Sequence, residues 1–392
     1  MDLKRKIVEF SLDHHKLVTW VMVIFTVACA AFIPLIKVDT DPENMLSEDE
    51  AVRIFHDQTK KDFVLNDIVV VGIVNNKDPN GVFNPQSLQR IYDLTQYAKT
   101  LRWPNPKDPN ETIGVVEVDL LAPSMVDHIS QDGPGVIRFE WLMPEPPKTA
   151  AEAVAIREKA LSNPLLKDTV VSGDGHAICL YLPLTSKDLS HDVYRALQKE
   201  IATFTGDEEY HITGLPVAED TFGYEMFIQM AISAPLAMLT IFVLMLIFFR
   251  KLVLIVSPMI IAMVTVLSTM GLLIGFGFPV HIMSSMIPIF LMPIAVVDSV
   301  HILSEFFDRY TKEKGRRQTM VEVMDTLFIP MLYTSLTSAA GFASLALTPI
   351  PPVQVFGIFI AIGVMVAWIW TITFIPASDV HQAGGAGEFR PH

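Results

Sequence analysis

Two residues with acid–base chemistry stand where an apolar chain would be expected. In "PIAVVDSVHIL", residues 293–303, Asp298 and His301 sit inside a long hydrophobic run. A carboxylate at the centre of a membrane helix costs about 2.5–3.5 kcal/mol on insertion scales, so intramembrane acids usually have a function. On a helix, a residue at i+3 lies on the same side one turn further on. Burial disfavours the charged form of either group, so the two could share one proton near neutral pH and load and unload it. The alternative is a fixed polar clamp in which Asp298 bonds hydroxyls of a neighbouring helix. "TSLTSAAGFASLAL" (334–347) is the richest source of those, with Thr334, Thr337 and Ser338 as candidate partners.

The elements that would hold this pair are spelled out by hydropathy. The chain has 392 residues, 51% of them hydrophobic and 18% charged; mean hydropathy is +0.40. Soluble domains carry about 25% charged residues. The deficit is concentrated in residues 17–36, 226–249, 252–276, 280–303, 326–347 and 353–376. Each approximates the ~20 apolar residues that cross a bilayer core, so six transmembrane helices are expected. The first, Leu17 to Ile36, follows Lys4, Arg5 and Lys6 and holds "ACA" at 28–30, as a signal peptide would. Its apolar core exceeds the usual 7–15 residues of such a peptide, and an anchor that stays in the protein is expected.

The basic residues give the orientation. Lys4, Arg5, Lys6 and Lys16 precede the first span, Arg250 and Lys251 join the second to the third, and Arg309, Lys312, Lys314, Arg316 and Arg317 join the fourth to the fifth. The opposite connections, "GFPV" and "TPIPPV", carry none. Six alternating spans therefore predict both termini in the cytoplasm. Asp298, about 10 Å of helix rise before Glu305, falls in the inner half of the fourth span, and His281 at its outer end reads as an interfacial residue.

Between the first and second spans lies a large extracytoplasmic segment. Lys37 to Glu225 hold 17 Lys and Arg against 32 Asp and Glu, which accounts for the net charge of −14. An acidic exported domain argues against nucleic acid. "NDIVVVGIV" (66–74), "TIGVVEVD" (112–119), "HAICLYLPL" (176–184) and "EYHIT" (209–213) read as strands. "NPQSLQRIYDLTQYAKTL", "TAAEAVAIREKAL" and "DVYRALQKEIATF" read as helices, the first capped by Asn84. "SEDEAVRIF" reads as a capping box from Ser47 to Glu50. "WPNPKDPNE" and "QDGPG" are loops. Strands alternating with helices predict an α+β ferredoxin-like domain. The expected domains are 1–36, 37–225, 226–377 and a cytoplasmic tail, 378–392.

Other features belong to a packed bundle. Gly271 and Gly275 form a small-xxx-small pair, and Gly341 lies in the small-residue patch of the fifth span. Pro235, Pro258, Pro288 and Pro293 interrupt spans two to four. Cys29 and Cys179 are too far apart in kind of environment to pair, and neither a metal-ligand spacing, a nucleophile elbow nor a phosphate loop is present. No enzyme, metal or cofactor is expected.

One span, a large exported α/β domain and five further spans with an acid in the fourth resemble one half of a resistance–nodulation–division (RND) transporter. "PIAVVDSVHILSEF", "SLTSAAGFASLAL" and "GIFIAIGVMVAWIWTITFIPA" are similar to the MMPL branch, and spans two to six also resemble a sterol-sensing domain. The resemblance covers residues 1–377. It implies a proton-motive-force-driven exporter of hydrophobic or amphiphilic molecules such as lipids, with Asp298 as proton acceptor, His301 assisting, and Thr334, Thr337 and Ser338 nearby. Many relatives carry Tyr after the span-four acid; here Ser299 stands there. Relatives also usually hold two such halves, so the resemblance implies a homodimer or a second half in a longer chain. A lipid or sterol sensor and an accessory factor of protein export are the other functions it allows.

Overall fold

A computed structural model describes residues 3–105, 108, 110–131, 135–250 and 252–382. Lys251, parts of the expected loops "WPNPKDPNE" and "QDGPG", and most of the expected tail lie outside the described residues. In chain order the elements are α1 (Leu3–Asp13), α2 (His15–Ala30), α3 (Ala51–Asp62), β1 (Asp67–Val74), α4 (Pro85–Lys99), β2 (Arg102–Pro104), β3 (Thr112–Gly114), β4 (Asp127–Gln131), β5 (Ile137–Trp141), α5 (Ala150–Ser162), β6 (Ala177–Leu184), α6 (Ser190–Ile201), β7 (Glu209–Thr213), α7 (Leu215–Phe249), α8 (Leu252–Gly275), α9 (Ile282–Ser285), α10 (Ile287–Arg309), α11 (Arg316–Ala343) and α12 (Pro351–Gln382). The chain divides into a largely helical unit, residues 1–53 with 223–392, and an α/β unit, residues 54–222.

Six helices among the described residues are long and apolar enough to cross a membrane: His15–Leu35, Leu215–Phe249, Leu254–Gly275, Ile282–Arg309, Arg316–Leu347 and Pro351–Ser378. The third, fourth and sixth form the centre of the helical unit. Ile255, Ile261 and Leu273 of α8 are fully buried, as are Ile287, Leu291, Ile302 and Leu303 of α10 and Ile360 of α12. Small residues let these helices approach. A Cβ at Gly363 would lie 2.6 Å from Leu291 and 2.8 Å from Thr269, so α8, α10 and α12 meet there. A Cβ at Gly271 would lie 2.2 Å from the Cys29 carbonyl oxygen, which brings α2 onto α8. Gly275 faces the Phe32 ring at 3.0 Å, whereas a Cβ at Gly341 would meet nothing within 4 Å. Gly341 therefore packs against no helix among the described residues, unlike the expectation for it.

The fourth span is not one helix. It begins as α9, turns at Met286 and restarts as α10, with Pro288 in the new first turn. Proline fits there because the first-turn N–H groups have no intrahelical acceptor. Before α9, the chain is pinned to the end of the first span. Val38 and Val280 form a parallel bridge, with Val280 N donating to Lys37 O at 2.7 Å and Asp39 N to Val280 O at 3.2 Å. His281 Nδ1 lies 3.5 Å from Asp39 Oδ2. Asp39 also accepts from Asp41 N and from Asn44 Nδ2, at 3.0 and 2.7 Å. The expected interfacial histidine is thus 8% exposed and tied into a clamp.

The α/β unit has its own core. β1 lies between β6 and β7 and is antiparallel to both. Val69, Val71 and Ile73 oppose Leu182, Leu180 and Ile178 across the β1–β6 ladder, and all six are fully buried. The two-residue period puts them on one face, where Leu88, Ile91, Leu94 and Ala98 of α4 and Val193 and Leu197 of α6 join the same core. Asn84 caps α4, its side chain accepting from Ser87 N at 2.8 Å. Thr149 caps α5, and Glu152 returns the bond to Lys148 N at 2.7 Å.

Two expectations change here, and a third element is added. Residues 112–119 are not one strand: β3 ends at Gly114, a 3₁₀ turn occupies Glu117–Asp119, and only the bridges Val115↔Leu184 and Leu121↔Tyr181 reach the β6 edge. The helix expected from Ser47 starts at Ala51, because the Ser47 hydroxyl accepts from Asp49 N in a local turn. The flanks of "QDGPG" pair as the hairpin β4–β5.

Candidate functional site

Asp298 lies on α10, five residues after Pro293, which has no N–H to give to the preceding turn. Ala295, Ser299, Ile302 and Phe306 are buried along this part of the helix, and Asp298 is 8% exposed. Its partner comes from α11: Ser335 Oγ donates to Asp298 Oδ2 at 3.1 Å. Ser335 is itself 6% exposed. The bond is therefore closed off from both sides by packed side chains.

Ser335 reaches this position by periodicity. The buried residues of α11 include Met320, Met324, Phe328, Met331, Ser335 and Ala339. Their separations of three and four residues make one stripe of an amphipathic helix, and Ser335 is its hydroxyl-bearing member opposite Asp298. Thr334 and Thr337 fall off that stripe and are exposed. Their hydroxyls donate to Pro330 O at 3.0 Å and Thr334 O at 2.9 Å, on their own helix. Ser338 is half-buried and no hydrogen bond joins it to Asp298. The hydroxyl partner of Asp298 is thus Ser335, not the three singled out from the sequence. Continuing the Met320–Met331 stripe by one turn was the signal that would have found it.

His301 lies within electrostatic reach of Asp298 but not in hydrogen-bond contact with it. It is exposed, and no hydrogen bond or ion pair joins it to Asp298 among the described residues. The reason is angular. Three residues advance a helix by 300°, so His301 is offset by about 60° from Asp298, and this offset turns away from the side on which buried Ile302 continues. Ser299 is fully buried, and its hydroxyl finds no partner among the described residues. No group of three or more His, Cys, Asp or Glu able to hold a metal occurs among the described residues.

The helices and the buried Asp298–Ser335 bond define a class before they define a family: a multi-pass membrane protein with a polar contact between two of its spans. The family model described as "MMPL family" matches residues 114–390. This chain belongs to the MMPL family and is a transporter of the RND type. No match was found among curated proteins.

Proposed function

We propose that the protein is a secondary active exporter of hydrophobic or amphiphilic molecules such as lipids, driven by the proton-motive force, with Asp298 as the group that takes up and releases the proton. The observation that carries this reading is the buried carboxylate of α10 held by a hydroxyl of α11. An acid kept inside an apolar span is costly to retain, and a single hydroxyl partner leaves it free to change protonation without breaking an ion pair. Ser335 orients the carboxylate; His301, one turn along α10, serves as the exchange point with water at the basic end of the bundle.

The same reading places the basic loops in the cytoplasm of a bacterial inner membrane and the α/β unit on the far side as a ferredoxin-like porter domain. The strand order is its support. With 115–121 counted as a broken edge strand on β6, the order is that strand, β6, β1, β7, all antiparallel, the arrangement of two split βαβ units. A second copy, or a second half of a longer chain, would cover the exposed small and polar face of α11 that holds Thr334, Thr337 and Gly341.

The test uses everted vesicles containing the full chain, an imposed proton gradient and a fluorescent acyl-chain amphiphile. Asp298→Asn should abolish gradient-driven amphiphile movement while membrane insertion is unchanged. Undiminished movement in that variant overturns the relay.

A further inference from the structure

At the basic end of the helical unit, α1, α2 and α12 enclose a groove of about 550 Å3, a size typical of clefts that take small molecules. Each helix supplies one face. Phe10 of α1, Leu17 and Val21 of α2 and Ile369 of α12 line it, and each is about half exposed, at 50, 51, 49 and 45%. Trp370 lies between them, largely buried. Two hydroxyl residues also line the groove, but they are turned inward: Ser11 Oγ donates to Ile7 O at 2.9 Å and Thr373 Oγ1 to Ile369 O at 2.7 Å. The walls therefore offer carbon rather than hydrogen bonds.

One charge stands at this groove, the Lys6 ammonium. Its neighbours on α1 are neutralised within the protein. Lys4 lies 3.4 Å from Asp325, and Arg5 lies 2.9 Å from Glu9. Lys6 is exposed, and among the described residues it has no ion-pair partner and no carboxylate lines the groove. An open apolar trough ending in a single uncompensated cation is complementary to one kind of membrane component: a hydrocarbon chain with an anionic head. Basic pockets beside membrane helices bind acidic headgroups on this physical ground.

We propose that the groove between α1, α2 and α12 binds an anionic phospholipid, one acyl chain lying against Phe10, Leu17, Val21 and Ile369 and the phosphate resting on Lys6. The occupant bridges the helix that precedes the first span to the last span. The site needs only that the spans cross a bilayer, so it stands apart from the proton-relay reading.

The full chain, reconstituted with phosphatidylglycerol or phosphatidylcholine carrying a photoreactive group in one acyl chain, tests this directly by peptide mapping of the adducts. Adducts are expected in residues 7–21 and 369–373. The phosphatidylglycerol yield there should exceed the phosphatidylcholine yield about fivefold, the preference expected of one lysine near an anionic surface. Lys6→Gln should bring that ratio towards one, and Ile369→Trp, which fills the trough, should reduce the adducts of both lipids at these residues. Lys16→Gln, outside the groove, should leave the ratio unchanged. An equal ratio in wild type, an equal loss in Lys16→Gln, or adducts spread evenly along α7 would each overturn the proposal. Asp298→Asn should retain the wild-type pattern, so failure of the relay and failure of this site are read separately.

Discussion

Glycine substitutions should separate helix approaches that are built into the fold from those that are not. At Gly271, an added Cβ would stand 2.2 Å from the Cys29 carbonyl oxygen and 2.4 Å from its carbonyl carbon. Backbone cannot swing aside as a side chain does, so α2 and α8 must part by roughly 1 Å, an overpacking that costs about 1–3 kcal/mol or more. At Gly275 the obstacle is the Phe32 ring at 3.0 Å, and Phe32 is 43% exposed, with room to turn. At Gly341 nothing lies within 4 Å, and alanine gains about 1 kcal/mol of helix propensity over glycine. Reversible unfolding of the monomeric chain in mixed detergent micelles should therefore rank the variants. Gly271→Ala should lose about 2 kcal/mol after the propensity gain. Gly275→Ala should stay within about 1 kcal/mol of wild type, and Gly341→Ala should equal or exceed it. A Gly341→Ala variant as damaged as Gly271→Ala, or an undamaged Gly271→Ala, refutes the reasoning from close approach.

Ser335→Ala removes the hydroxyl bonded to Asp298. An unsatisfied buried polar group costs about 1–3 kcal/mol, so gradient-driven transport should fall about five- to 150-fold, while Thr334→Ala and Thr337→Ala stay near wild type. In the α/β unit, Arg90 pairs with Glu208, whose side chain is 3% exposed. Glu208→Ala strands a mostly buried guanidinium and should cost about 3 kcal/mol in thermal or denaturant unfolding; Glu208→Gln should recover part of that. The Tyr210 hydroxyl is buried without a hydrogen-bond partner among the described residues. Burial, followed by the nearby Glu208 charge, pushes its pKa from the ordinary 10.0 up to about 12. Because the folded value lies above the unfolded one, this contribution is fully present below pH 10 and is lost as pH rises through 12. Unfolding curves across that window should fall more steeply for wild type than for Tyr210→Phe.

The sequence was most informative where one physical signal acted alone. Hydropathy marked six spans, and Asn84 before Pro85 marked the start of α4, because a side-chain cap and a fixed proline φ require little tertiary context. It was less informative where two signals competed. Residues 112–119 alternate as a strand does, but Glu117–Asp119 curl into a 3₁₀ turn. His301 obeyed the i+3 rule, yet that rule does not say on which side of the carboxylate the neighbouring helix lies. Ser335 stood within the recognised hydroxyl patch, and following the methionine stripe up α11 would have separated it from Thr334 and Thr337. The clamp of Asp39 on His281 joins residues over 240 positions apart, and no local pattern announces it.

That clamp has a mechanical consequence. The chain leaving the first span is bonded through backbone at Val38–Val280 and through side chains at Asp39–His281 to the segment that opens the fourth. A displacement pulling on residues 37–39 is therefore delivered to α9. The break at Met286 lies between that attachment point and the stretch carrying Asp298. A pull on the upper piece therefore passes through this joint before it reaches the lower piece, which carries Asp298. Work done at one end of the bundle would reach the buried carboxylate as a small change of tilt rather than as a sliding of the whole helix.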